Sequence, residues 1–211
     1  MSRSLLVLGA GGHARVVVDV LIQSGKRIVG ILDPDPGNLG MNIFGAVVLG
    51  GDELLERYDS ANVDLANGVG SMGHPGARQV LFESCVSRGY HFPPLIHPSA
   101  IVAPGVILAE GVQIMAGAVI QPGCRIGSNS IVNTGVTLDH DCDVGSHAHL
   151  SPGVTLCGNV KISDYAHVGA GATIIQNLVV GAGALVAAGA VVVRNVPPAM
   201  TVAGVPAREM K

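Results

Sequence analysis

The sequence predicts two architectures in series: a small α/β domain over residues 1–92 and a parallel β-helix over residues 96–211. Three observations predict this. Stepping by six from Ile96 to Val192 meets a branched aliphatic residue every time. That metre is absent before Ile96, where short apolar runs alternate with helical patterns. The first apolar run ends in a glycine-rich turn, Gly9-Ala10-Gly11-Gly12-His13-Ala14.

The N-terminal elements follow in order. Ser4–Leu8 reads as a strand and about Arg15 to Ser24 as an apolar-periodic helix. Arg27–Leu32 reads as a second strand, closed by Asp33-Pro34-Asp35-Pro36. Further strands are expected at Ala46–Leu49 and Val63–Ala66, with helices near Asp52–Arg57 and Pro75–Ser87. Strands alternating with helices imply a small parallel, Rossmann-like sheet. His91-Phe92-Pro93-Pro94 is a stiff junction.

Beyond it, a period of six fits neither an amphipathic helix nor a long strand. Fixed-period repeats build solenoids, and hexads build parallel β-helices. The aliphatic first place of each hexad points inward and the small fifth place fits the corner. The fourth place is Gly or Asn in thirteen hexads, residues that tolerate positive φ. Three hexads close a coil of 18 residues, so residues 18 apart stack at about 4.8 Å. The pattern resembles the hexapeptide-repeat left-handed β-helix, a family rich in acyltransferases; the handedness comes from that resemblance.

Composition narrows the function. A net charge of −3 and only 13% charged residues leave no basic footprint for nucleic acid or anionic membrane. No apolar run approaches membrane-spanning length. Leu5–Leu8 is too short for the core of a signal peptide, so a cytoplasmic protein is expected. The four cysteines form no CxxC. Cys124 and Cys142 share the fifth place one coil apart and read as small inward-facing thiols.

Gly9, Gly11 and Ala14 fit the GxGxxA fingerprint, and Asp33 lies about twenty residues on. Such glycines let a backbone approach phosphates at a helix N-terminus, and the acid can bond a ribose hydroxyl. About ninety-five residues supply only half of a dinucleotide fold, so a mononucleotide site is favoured over NAD. A tight strand–helix turn without ligand is the competing reading.

In the solenoid the fourth place departs from Gly/Asn at Ser99, Asp141, His147 and Tyr165. His140 precedes Asp141, and Gly158 should stack over His140. His140-Asp141 reads either as a general base with a carboxylate partner or as a solvated turn. His147 reads as a turn residue; His149 and His167 would stack on a solvent or subunit face. Catalytic zinc wants three convergent nitrogen ligands. His147, His149 and His167 lack the two histidines five apart of the zinc hydratases that a trimeric β-helix of this kind also resembles, so no metal is expected.

Several motifs together resemble a line of bacterial sugar acetyltransferases. They are Gly9–Arg15, Asp33, Ile96-His97-Pro98-Ser99-Ala100, Val132-Asn133-Thr134, Asp139-His140-Asp141-Cys142 and Ala203-Gly204-Val205-Pro206-Ala207-Arg208. The line includes sialic acid O-acetyltransferases and N-acetyltransferases of nucleotide-linked amino sugars, of the bacillosamine and perosamine type. The resemblance implies acetyl-CoA as co-substrate, a UDP- or GDP-linked 4-amino sugar as acceptor, and a homotrimer with sites between subunits. It implies that His140 is the general base, tuned by Asp141. Gly158 would hold the thioester carbonyl through its N–H, while His149 and Asn133 would lie beside acetyl-CoA. Gly11, Gly12, His13, Asp33, Pro34 and Gly68 would touch the sugar nucleotide. His140 and His149 are half a coil apart, so one site using both must draw them from different chains.

Overall fold

A computed structural model describes residues 3–71 and 76–210. The N-terminal sheet runs β1 (Ser4–Leu8), β2 (Ile28–Leu32), β3 (Asn42–Ile43), β4 (Ala46–Gly50) and β5 (Val63–Asn67), in the spatial order β3-β4-β2-β1-β5. The strands β4, β2, β1 and β5 are parallel. The expected all-parallel layer is corrected at one edge: β3 is antiparallel to β4. The joining turn places Phe44 and Gly45 at positive φ, and Asn42 Oδ1 accepts from the Gly45 N–H at 2.7 Å. Two-residue turns of this kind match strand twist, but a two-residue strand carries no periodicity to read.

Helix α1 (Gly12–Gln23) begins three residues earlier than expected, directly on the glycine turn. Asp52–Arg57 is a 3₁₀ segment. Helix α2 covers Gly76–Ser87; the expected start at Pro75 lies outside the described residues. Ala14, Val17, Val18 and Leu21 of α1 are buried against the sheet.

The chain then winds as a left-handed parallel β-helix. Each strand takes the sixth and first places of a hexad, as in His149–Leu150, and pairs with the strand 18 residues on. From Gly105 to Gly189 every fourth place has positive φ, whatever residue fills it. Fourteen of the seventeen first-place aliphatics, from Ile114 to Val192, are buried; Ile96, Val102 and Leu108 at the opening coil are only partly covered. Burial of each such side chain stabilises by roughly 1.5–3 kcal/mol, so the first places are committed to the core. The turns and the outward sixth places are where other chemistry fits. In the last coil the stagger falls from 18 to 16, as Val180 meets Val196 and Leu185 meets Thr201. An antiparallel strand at Arg208–Glu209 closes that end.

One of the three solenoid faces carries the N-terminal domain. It runs through Leu95–Ile96, Gln113–Ile114, Ile131–Val132, His149–Leu150 and His167–Val168. Leu95, Met115 and Ile131 of this proximal face share a core with α1 and the sheet. Phe82 of α2 packs on Phe92, with ring centroids 4.9 Å apart.

Candidate active site

Two regions carry chemistry. The first is a cavity of about 580 Å³ at the C-terminal ends of β1 and β5, against the start of α1. Open parallel sheets bind ligands at this end. Gly9 has φ +94°, which favours glycine, and any side chain there would press on Val69. A Cβ at Gly68 would come within 2.9 Å of the Leu8 and Gly9 carbonyls and 3.0 Å of Ala14 Cβ. The small residues thus let α1 sit directly on the 67–71 loop. In front of Gly11 and Gly12 the space is open.

Asp33 closes one side. Its carboxylate accepts from the Ala10 N–H at 2.6 Å, the Asp35 N–H at 3.0 Å and Asn38 Nδ2 at 3.0 Å. Burial alone would raise its pKa; these three donors outweigh burial and hold it below the ordinary carboxylate value. Gly11, Gly12, His13, Asp33 and Gly68 line the cavity together, and Pro34 lies outside that lining.

The solenoid supplies the floor of this cavity through His149. Its Nδ1 lies 2.9 Å from both the Ser71 carbonyl and the Ser71 hydroxyl, and its Nε2 accepts from Asn133 Nδ2 at 3.3 Å. The Thr134 N–H donates to Asn133 Oδ1 at 2.8 Å, which fixes that amide. Burial, reinforced by His167, lowers the His149 pKa to about 4. His167 meets His149 edge-on at 4.8 Å. His149 therefore lies under the N-terminal domain, which corrects the solvent-face alternative for that residue, and His167 stands beside it. A second cavity of about 420 Å³ adjoins at Ser71 and His149 and continues past His167 along the proximal face.

The joint between the domains is polar and buried. Arg78 of α2 donates Nε to the Asn129 carbonyl at 3.2 Å, and Nη1 to the Asn67 and Val69 carbonyls at 3.1 and 2.7 Å. Full burial lowers its pKa to about 9, which still leaves it protonated at neutral pH. Gln113 of the solenoid bridges His13 and Asn67. Neither Arg78 nor Gln113 was legible in the sequence. Arg78 looks like a surface residue of a helix with weak amphipathicity, and Gln113 is one polar residue among outward-facing sixth places.

The second region is a solenoid corner away from the proximal face. Asp141 stands at a fourth place with φ +60°. A Cβ on Gly123, one coil below, would collide with the Asp141 carboxylate. His140 Nδ1 meets Asp141 Oδ2 at 2.8 Å, and the His140 N–H donates to Asp139 Oδ1 at 2.7 Å. The hydrogen bond to Asp141 is the main cause that raises the His140 pKa, with Asp139 adding to it. The ring is exposed and its Nε2 lies over Gly158, as the 18-residue stagger predicts: a Cβ there would be 2.6 Å from Nε2. The Gly158 N–H makes no hydrogen bond among the described residues, whereas His140 N–H, one coil below, is taken by its aspartate. Cys142 is buried and its thiol donates to the Cys157 carbonyl.

The breaks in the turn pattern therefore divide. Asp141 belongs to this corner. His147 and Tyr165 lie at another one, beneath α2: their rings stack at 5.3 Å, and His147 meets Phe82 edge-on at 5.8 Å. His147 thus docks a helix, and Tyr165 stacks on it.

A strand–glycine–helix cavity set on a hexapeptide β-helix, with an exposed His–Asp pair at a coil corner, defines the class of hexapeptide acyltransferases. The PglD N-terminal domain family matches residues 4–85, and the bacterial transferase hexapeptide family (six repeats) matches residues 105–140. The chain is similar over its whole length to the Caulobacter crescentus protein PerB in complex with CoA and GDP-perosamine. That match has 36% identity and TM-score 0.91, covering 100% of this chain and 99% of that one. It is similar to the acetyltransferase domain of PglB from Neisseria gonorrhoeae in complex with acetyl coenzyme A, with 37% identity, TM-score 0.92 and full coverage of both chains. WeeI from Acinetobacter baumannii matches at 25% identity and TM-score 0.82, covering 99% and 100%. Comparison with curated protein sequences finds no match. The chain belongs to the bacterial sugar acetyltransferases that join a PglD-type N-terminal domain to hexapeptide repeats.

Proposed function

We propose that this chain transfers the acetyl group of acetyl-CoA to the amine of a UDP- or GDP-linked 4-amino sugar, for bacterial surface-glycan synthesis in the cytoplasm. The N-terminal unit, residues 1–92, holds the sugar nucleotide, and the β-helix, residues 96–211, carries the transfer chemistry. His140 takes a proton from the amine as it attacks the thioester carbonyl; the C–S bond then breaks, and the proton passes from His140 to the departing CoA sulfur. Asp141 keeps that ring oriented and basic, and the free N–H of Gly158 meets the developing oxyanion. Gly11, Gly12, His13, Asp33 and Gly68 hold the sugar nucleotide, with Pro34 at its outer edge. His149 and Asn133 form the floor that the acetyl-CoA arm crosses.

The observation that carries this reading is the separation of the two regions. The cavity opens beside His149 on the proximal face, and His140 stands at the corner half a coil away. One chain cannot bring its own His140 to its own cavity. A trimer of prisms sets the His140 of one subunit beside the cavity of the next, and the relatives described with both CoA and GDP-perosamine support that pairing of ligands. Acetyl-CoA turnover with GDP-perosamine, a UDP-4-amino sugar and free sialic acid decides the acceptor. Turnover of sialic acid alone overturns the nucleotide-sugar assignment, and full activity in a monomer at sedimentation equilibrium overturns the shared site.

A further inference from the structure

One buried amide joins the solenoid to the cavity wall. Gln113 is 1% exposed, and its Nε2 donates to the Asn67 carbonyl at 2.8 Å. A carbonyl only accepts, so the amide cannot be turned over without setting two oxygens face to face. Its Oε1 therefore faces His13 Nε2, at 2.8 Å. An amide oxygen also only accepts, so His13 Nε2 must carry a proton. In a neutral imidazole the other nitrogen is then a bare acceptor.

We infer that Gln113 is a positioning residue for His13: it locks the Nε2–H tautomer, so that Nδ1 faces the cavity as an acceptor for a hydroxyl or ammonium group of the ligand. His13 lines that cavity. Its Nδ1 has no partner among the described residues, and it is not a buried atom, because the one buried unpartnered side-chain polar atom among them is Arg78 Nη2. Burial and the nearby Arg78 charge lower the His13 pKa to about 4, against a smaller opposing effect of the Gln113 bond. The ring is neutral at pH 7. A phosphate oxygen is itself an acceptor and finds no donor at Nδ1; a pyrophosphate is left to the free N–H groups at the start of α1. His13 thus selects for the donor-bearing parts of a nucleotide sugar.

The ligand half of this inference rests on the nucleotide-sugar reading of the cavity; the tautomer half does not. Nitrogen-15 NMR of the full chain without ligand, labelled at histidine and assigned with His13→Gln, reads the tautomer directly. A single Nε2–H form at pH 7 is expected; an Nδ1–H form or an imidazolium overturns the inference. In Gln113→Glu a carboxylate faces the ring, and the imidazolium it favours puts a proton on Nδ1. Calorimetric affinity for GDP-perosamine or a UDP-4-amino sugar should fall about tenfold, as expected for one lost hydrogen bond, with the KM for acetyl-CoA unchanged. Undiminished affinity with a protonated ring overturns the ligand half, as does a wild-type chain that binds neither nucleotide sugar. Should Gln113→Glu fail to fold, Gln113→Met keeps the volume and drops both bonds. It should show a mixture of tautomers, and a persistent single Nε2–H form there overturns the role of Gln113.

Discussion

His140 and His13 are the same residue type held to opposite rules. His140 stands in water with a carboxylate on Nδ1, and its pKa is raised. His13 is enclosed between two domains with an amide on Nε2, and its pKa is pushed down to about 4. On the proposed mechanism the exposed corner suits its histidine to act as a base, and on the inference above the buried joint suits its own to act as a neutral acceptor. Burial and partner chemistry decide which task each imidazole can perform. The scaffold separates the tasks: His140 stands at an open coil corner, and His13 stands at the start of α1, where the solenoid closes over it.

The sharpest way to break this contrast is His140→Ala. The side chain is exposed and supports no core contact, so thermal melting and oligomeric state should be unchanged. Acetyl transfer should fall by about 10²–10⁴-fold, the usual contribution of a positioned general base. Steady-state kinetics with saturating acetyl-CoA measures it, and loss of less than tenfold would remove His140 from the chemistry.

The buried side responds in stability instead. Arg78→Ala strands the carbonyls of Val69 and Asn129, each at a cost of about 1–3 kcal/mol when left unpaired, and leaves the Asn67 carbonyl with Gln113 as its one side-chain donor. A loss of roughly 3–5 kcal/mol in denaturant unfolding is expected, with the 67–71 loop released from the cavity wall. An unchanged midpoint would show that the joint is held by its apolar contacts alone.

The two regions also differed in how far the sequence disclosed them. The corner was legible because the hexad metre is a ruler: it placed Gly158 over His140 and turned Cys142 inward, and both hold. The breaks at His147 and Tyr165 were visible too, but the sequence could not say that α2 fills that corner. The joint was hidden. Asn129 fits the turn pattern and so raised no flag, yet it bonds Asn67, Arg78 and His147. Gln113 and Arg78 act across sequence separations of 100 and 51 residues, and no local period encodes such pairings. The strand β3 was missed because its signal is a turn, not an alternation.

Gly158→Ala separates stacking from base strength. Its new Cβ would lie 2.6 Å from His140 Nε2, so the ring must tilt off Asp141 or slide outward. A displacement of this size from productive geometry costs about 10²-fold. The expected result is a kcat loss of that order with little change in KM. Retained kcat would mean that the His140 ring is free to find another reactive position.

The smallest effect, and the most specific, is in the pH profile of Asp141→Asn. Asparagine tolerates the positive φ at this turn, so the backbone is kept. The carboxylate that chiefly raises the His140 pKa is lost. A general base works only when unprotonated, so kcat/KM falls as pH drops through its pKa. In the native enzyme that acid limb should lie above the ordinary histidine value of about 6.5, and in Asp141→Asn it should move to lower pH. The plateau at high pH should drop several-fold, because a less basic imidazole removes the proton less readily. A limb that stays in place would assign the controlling titration to a group other than His140. His13 and His149 cannot substitute for it, since their lowered pKa values leave them neutral across the working range.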